Sequence, residues 1–151
     1  LTGGMFTGMA LISFVKIPYE KRLSIFIIAG IIFSITFATF PMFDFKYMLL
    51  LLFIAGFFNA IVNTLINATI QLTVPQEMRG KVFSIMNTVT GGLVPIAMAV
   101  GGIVAEFIVI KYIILTCFLL SAIGFLPLGF SKKFKHFINF NPDLQTLEDI
   151  I

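Results

Sequence analysis

The stretch Gln71-Leu72-Thr73-Val74-Pro75-Gln76-Glu77-Met78-Arg79-Gly80-Lys81-Val82-Phe83-Ser84 decides how this chain is read. It is a charged island between two long charge-free runs, one starting at Tyr47 and the other ending at Ala105. Apolar runs of that length mark membrane-spanning helices. A polar stripe leads into the island: Asn59, Asn63, Asn67 and Gln71, each four residues from the next. Polar side chains at membrane depth are costly and need a partner, a cavity or a substrate.

Composition points the same way. The chain is 59% hydrophobic and only 11% charged, whereas soluble domains carry about a quarter charged residues. It reads as an integral membrane protein, with lipid as its first partner. Trp is absent, so an aromatic belt would rest on Phe and three Tyr. Cys117 is the only cysteine, which excludes an intrachain disulfide and leaves packing as its role. The sequence starts at Leu1 inside an apolar stretch, as expected for a piece of a longer protein.

Charges divide the chain into five apolar segments: Leu1 to Val15, Leu23 to Phe43, Tyr47 to Val74, Val82 to Ala105, and Tyr112 to Ser131. The first is too short to cross alone, since a crossing takes about 20 residues. The third exceeds that need and should tilt or protrude. Helices or closed barrels are the only spanning solutions, and barrel-type alternation is absent. The expected fold is therefore an all-α membrane bundle of four full spans and one truncated span over residues 1–131, followed by a tail over residues 132–151.

The connections alternate in charge. Lys16, Lys21 and Arg22 mark the first, Arg79 and Lys81 the third, and Lys132, Lys133 and Lys135 follow the last span. Lys46 and Lys111 on the other side are offset by Asp44 and Glu106. The positive-inside rule then puts the basic side, and the C-terminus, in the cytoplasm. In the tail, Leu144, Leu147 and Ile151 could share one face of a short helix started near Asn141-Pro142. His136 among lysines reads as a solvated side chain.

Successive members of the amide stripe lie about 40° apart on a helix, so the band winds slowly from mid-span toward the cytoplasmic surface. Two roles fit. The amides could be glue bonding to neighbouring helices, or they could line a hydrated path, with Asn59 and Asn63 best placed to touch a substrate and Asn67 beyond them.

The island has its own local logic. Thr73 and Gln76 have capping-box spacing, Thr at the N-cap and Gln at the third helical position. Pro75 would stop the preceding helix. Glu77 and Lys81 have ion-pair spacing, and Gly80 permits a bend or a close approach. Arg79 and Lys81 could simply anchor topology. Gln71, Pro75, Glu77, Arg79, Gly80 and Lys81 together suggest a loop that also braces and gates. The fourth span adds Gly91, Gly92, Pro95, Gly101 and Gly102, a set suited to close packing or flexing. Ala97, Gly101 and Ala105 have small-xxx-small spacing.

No acidic residue lies deep in any span, and the chain has one His. No Walker loop, no HExxH and no nucleophile–base–acid set is present, so enzymatic and metal chemistry have nothing to run on. Neither a cofactor nor a nucleic-acid partner is expected.

Gly56 through Ala105 resembles the C-terminal half of major facilitator superfamily transporters, in particular the macrolide and siderophore exporter branch. The resemblance is carried by Gly56, Gln71, Val74-Pro75, Glu77, Arg79-Gly80-Lys81 and the glycines and proline of the fourth span. Arg is usual where this chain has Lys81. At the first connection only Gly8, Lys21 and Arg22 match the family's loop motif, and its Asp is absent. The resemblance implies spans eight to twelve of twelve, with an N-terminal transmembrane half as the missing partner. It also implies alternating access around a midplane site. The function expected is efflux of a small, fairly apolar compound across the plasma membrane, with a proton antiporter's carboxylates in the missing part. The alternative is a non-transporting anchoring or assembly module whose amides are glue.

Overall fold

The computed structural model describes residues 1–15 and 17–140. The helix anticipated around Leu144, Leu147 and Ile151 lies outside the described residues. Six α-helices follow one another: α1 (Thr2–Phe14), α2 (Arg22–Thr39), α3 (Phe45–Thr73), α4 (Gln76–Phe107), α5 (Ile110–Phe130) and α6 (Lys132–Ile138). Short 3-10 turns at Tyr19–Lys21 and Phe40–Met42 precede and follow α2. No strand occurs among the described residues. Four helical segments are long and apolar enough to cross a membrane, and α1 is a shorter apolar helix. The all-α membrane bundle with four full spans and one short one is the observed architecture.

Proline sets two of the boundaries. Pro41 confines the end of the second segment to a 3-10 turn, so α2 stops at Thr39 rather than reaching Phe43. Its ring denies an α-helix the backbone donor it needs. Pro75, at φ −53° and ψ 144°, separates α3 from α4. Pro95, by contrast, lies inside α4 and does not end it. It has no N–H to give the carbonyl of Gly91, one turn earlier.

α3 has 29 residues and α4 has 32. At 1.5 Å per residue these are about 43 and 48 Å long, more than the hydrocarbon core of about 30 Å. Both must tilt or extend into the interface.

Each seam of the bundle is built differently. Backbones make the α1–α3 contact. Gly4 and Gly8 are buried against Phe53 and Phe57, and Gly56 against Leu1. A Cβ on Gly4 would overlap the carbonyl oxygen of Phe53, and one on Gly56 that of Leu1. On Gly8 it would lie 2.7 Å from the Phe57 oxygen. Small residues at four-residue spacing let two helices approach this closely. The sequence expectation had placed small-residue packing on the fourth span.

Aromatic rings make the α2–α5 contact. Phe37 stacks on Phe118 with centroids 4.6 Å apart, Phe33 meets Phe118 edge-on at 5.9 Å, and Phe26 meets Phe125 at 5.7 Å. Between these rings, Ser34 is fully buried and its hydroxyl lies 3.3 Å from that of Ser121.

The start of the tail closes one end of the bundle. Ile138 is fully buried with Leu23, Phe26 and Leu65, and Phe134 and Phe137 pack around them. The Asn139 side chain accepts from the Leu23 N–H (3.0 Å) and donates to the Glu20 carbonyl (3.2 Å). That satisfies one of the free donors at the first turn of α2. Ile138 and Phe140 thus anchor residues 132–140 against the bundle.

α4 behaves otherwise. None of its residues is buried, and Leu93, Ile96, Met98 and Ile103 are all exposed. Gly80, Gly91, Gly92, Gly101 and Gly102 have no atom within 4 Å of where a Cβ would stand. Whatever close packing these glycines permit is not used among the described residues.

Candidate functional site

The amide stripe and the island meet at one end of α3. Asn59 is the middle residue of that helix, so the stripe starts halfway along it and runs to its last turn. Asn59 is half-buried, and Asn63, Asn67 and Gln71 are exposed. Over the same turns Leu65, Thr69, Ile70 and Thr73 are buried against the bundle. Four-residue spacing keeps the amides off that packed face.

Two of the amides bond to each other. The Nδ2 of Asn63 donates to the Asn59 carbonyl oxygen (2.9 Å) and to Asn59 Oδ1 (3.1 Å). Both bonds stay within α3. The buried polar groups of the helix are likewise satisfied internally, since Thr69 bonds to the Leu65 carbonyl and Thr73 to the Thr69 carbonyl. Among the described residues, the side-chain hydrogen bonds that do join helices come from Ser34 with Ser121, from Asn139 and, at the α3–α4 joint, from Arg79. Amides keep both donors and acceptors to offer, and among the described residues none of these is bonded to α1 or α2.

The island is not the loop its composition suggests. Of its candidate residues only Pro75 lies in the connection, while Gln71 belongs to the end of α3. Glu77, Arg79, Gly80 and Lys81 lie in the first turns of α4. The capping box does not form. Thr73 spends its hydroxyl on Thr69, Pro75 is the N-cap of α4, and no side chain caps that helix. Gln, Glu, Met, Arg and Lys are good helix formers, so the helix begins as soon as Pro75 allows it. The helix-starting charge is as expected: Glu77 sits in the first turn, where a carboxylate is favoured. Glu77 and Lys81 are both exposed, and a pair in the open contributes little.

Arg79 is the side chain that ties the joint together. Its Nε donates to the Val74 carbonyl at 2.9 Å. Val74 is the C-cap of α3, so a cation on α4 meets an oxygen left free by the end of α3, where positive charge is favoured. The joint therefore links the two helices through one charge-assisted bond as well as the backbone.

The fourth span also carries Asn87, Thr88 and Thr90, which are not among the residues expected at the site. All three are exposed, and Thr90 bonds to the Met86 carbonyl one turn back. Their signal was visible as polar residues interrupting an apolar run. No group of three or more metal-ligating side chains occurs among the described residues. The arrangement offers recognition by amides and hydroxyls, with no acid–base or nucleophilic set beside it.

A family model described as Major Facilitator Superfamily matches residues 1–136. Compared with curated proteins and with solved structures, the chain finds no match. The match takes in every spanning helix, the amide stripe, the Pro75 joint and the first residues of α6. A multi-pass helical membrane protein matched over that length belongs to the Major Facilitator Superfamily, a family of transporters.

Proposed function

We propose that this chain is the later part of an exporter that moves a small, fairly apolar compound across the plasma membrane by alternating access. Asn59, Asn63 and Asn67 line the substrate path. The observation that carries this reading is the stripe itself. Its amides run from the middle of α3 to its end, and the bonds they make stay along α3. Among the described residues none of them bonds across to α1 or α2, as glue between these helices would.

The uncovered length of α4 is the second support. In this reading a preceding transmembrane half covers both α4 and the stripe, and the path runs between the halves. Gly91, Gly92, Pro95, Gly101 and Gly102 then give α4 a surface that can slide or flex against that half. Gln71, Pro75, Glu77, Arg79, Gly80 and Lys81 form the brace at the cytoplasmic gate, with the Arg79–Val74 bond as its fixed point. The basic residues at that end, including those of the tail, keep it in the cytoplasm. Proton coupling draws on carboxylates of the preceding half.

The test replaces Asn59 and Asn63 together by leucine in the complete protein and follows efflux of a macrolide from cells. A hydrogen bond lost from a path residue is worth about 1 to 1.5 kcal/mol, so efflux should fall about tenfold. The amount of protein in the membrane should not change. Unchanged efflux at normal membrane levels would sink the path assignment and leave the amides as interhelical glue.

A further inference from the structure

Arg22 stands outside the proposed path, yet its environment is unusual for a cation. Its Nε and Nη1 are buried and have no partner among the described residues. The guanidinium lies over the Tyr19 ring, with Cζ 4.2 Å from the centroid, which covers one face. Arg22 as a whole is half-buried, but buried donors of a cation left unpaired are costly unless an anion meets them.

A cavity of about 630 Å³ opens beside it. Arg22, Tyr19 and Thr64 bring the polar atoms, and Ile17, Leu65 and Ala68 are among the apolar residues that complete it. A second hollow of about 220 Å³ shares Ile12, Val15 and Ile17 with the first and continues along Phe57 and Ile61. Its lining presents no polar surface. From Ala68 to Phe57 the groove follows α3 for about 16 Å. Half of a bilayer's hydrocarbon core is about 15 Å thick.

A cationic head site that leads into an apolar groove one leaflet deep fits an amphiphile with one negative charge. We propose that Arg22 binds the phosphate of an anionic membrane phospholipid, one acyl chain of which lies in the groove past Ile12 and Ile61. The guanidinium offers the phosphate two N–H donors in a fixed fork. Thr64 adds a hydroxyl to the same hollow. The ligand holds the α1–α2 connection against α3.

Native mass spectrometry of the full-length protein released from a non-ionic detergent reads this directly. Phosphatidylglycerol, phosphatidylcholine and inorganic phosphate are the three probes. One phosphatidylglycerol should stay bound in preference to phosphatidylcholine, and millimolar inorganic phosphate should not displace it. Arg22→Gln should weaken its retention about tenfold, the loss expected for a charge-assisted bond. Ile61→Trp, which fills the groove and leaves Arg22 intact, should weaken it as well. A thermal melt identifies a variant that does not fold, and the groove-filling variant and the phosphate competition then carry the test. Equal retention by wild type and Arg22→Gln overturns the proposal. So does equal retention of the two lipids, which would mean that the site does not select a net negative charge. Displacement by inorganic phosphate overturns it too, because the site would then be one for a free anion.

Discussion

Gly4→Ala destabilises the protein by about 3 kcal/mol or more, at or above the upper end of the usual cost of overpacking. Gly3→Ala, one residue away, is neutral or stabilising. The difference lies in what the new methyl group meets. At Gly4 it meets the backbone of α3: the Phe53 carbonyl oxygen, its carbon at 2.8 Å and the Phe57 nitrogen at 3.0 Å. Backbone atoms inside a helix cannot turn aside, so α1 must move away and loosen its contact with α3. At Gly3 the nearest atom is a Phe53 ring carbon at 3.8 Å, an ordinary contact. There alanine gains up to about 1 kcal/mol through helix propensity alone. Thermal unfolding of both variants in detergent checks the pair. Equal shifts would mean that the α1–α3 backbone contact is not part of the native structure.

Ile138→Ala costs about 2 to 5 kcal/mol, the range for truncating a fully buried aliphatic side chain. Ile138 is 0% exposed and lies in one cluster with Leu23, Phe26 and Leu65. It thereby ties the chain after the last span to the start of α2 and the lower turns of α3. Asn139 fixes the same place by bonding the Leu23 N–H and the Glu20 carbonyl. Lys135→Ala, three residues earlier on an exposed position, should change stability by no more than about 0.5 kcal/mol. The two melting temperatures should separate clearly. A shift for Ile138→Ala as small as that for Lys135→Ala would mean that α6 is not docked.

These residues also show where the sequence was legible. The spanning helices could be read because apolar length and charge placement are properties of single segments. Contacts between segments were harder to read. Gly4 and Gly8 have plain four-residue spacing, but nothing local says that Phe53 and Phe57 lie opposite. In the tail, Lys132, Lys133 and Lys135 dominate the composition and conceal Phe134, Phe137 and Ile138, which share one helical face. At the island, the charged and polar residues look like a loop. Their helix propensity wins, because one proline is enough to separate two helices that are long in their own right.

The candidate site was legible in part, for the same reason. The four-residue step of Asn59, Asn63, Asn67 and Gln71 defines a face without any tertiary information. That the buried face belongs to Leu65, Thr69 and Thr73 depends on where α1 and α2 pack. That Arg79 bonds Val74 depends on the geometry of the Pro75 turn.

In the proposed path this stripe is wet. Cys117 is the only cysteine of these 151 residues and is exposed, so Cys117→Ala, with the replacement of any cysteine in the preceding half, supplies a cysteine-free background. Single cysteines then replace Asn63, Asn67, Leu65 and Thr69 in the complete protein in its native membrane. A charged, membrane-impermeant thiol reagent reports which of them meet water. Modification should be rapid at positions 63 and 67 and slowed by a transported compound, with silence at the buried positions 65 and 69. Positions 63 and 67 as silent as 65 and 69 would place the stripe in lipid or between packed helices, and would contradict the path assignment.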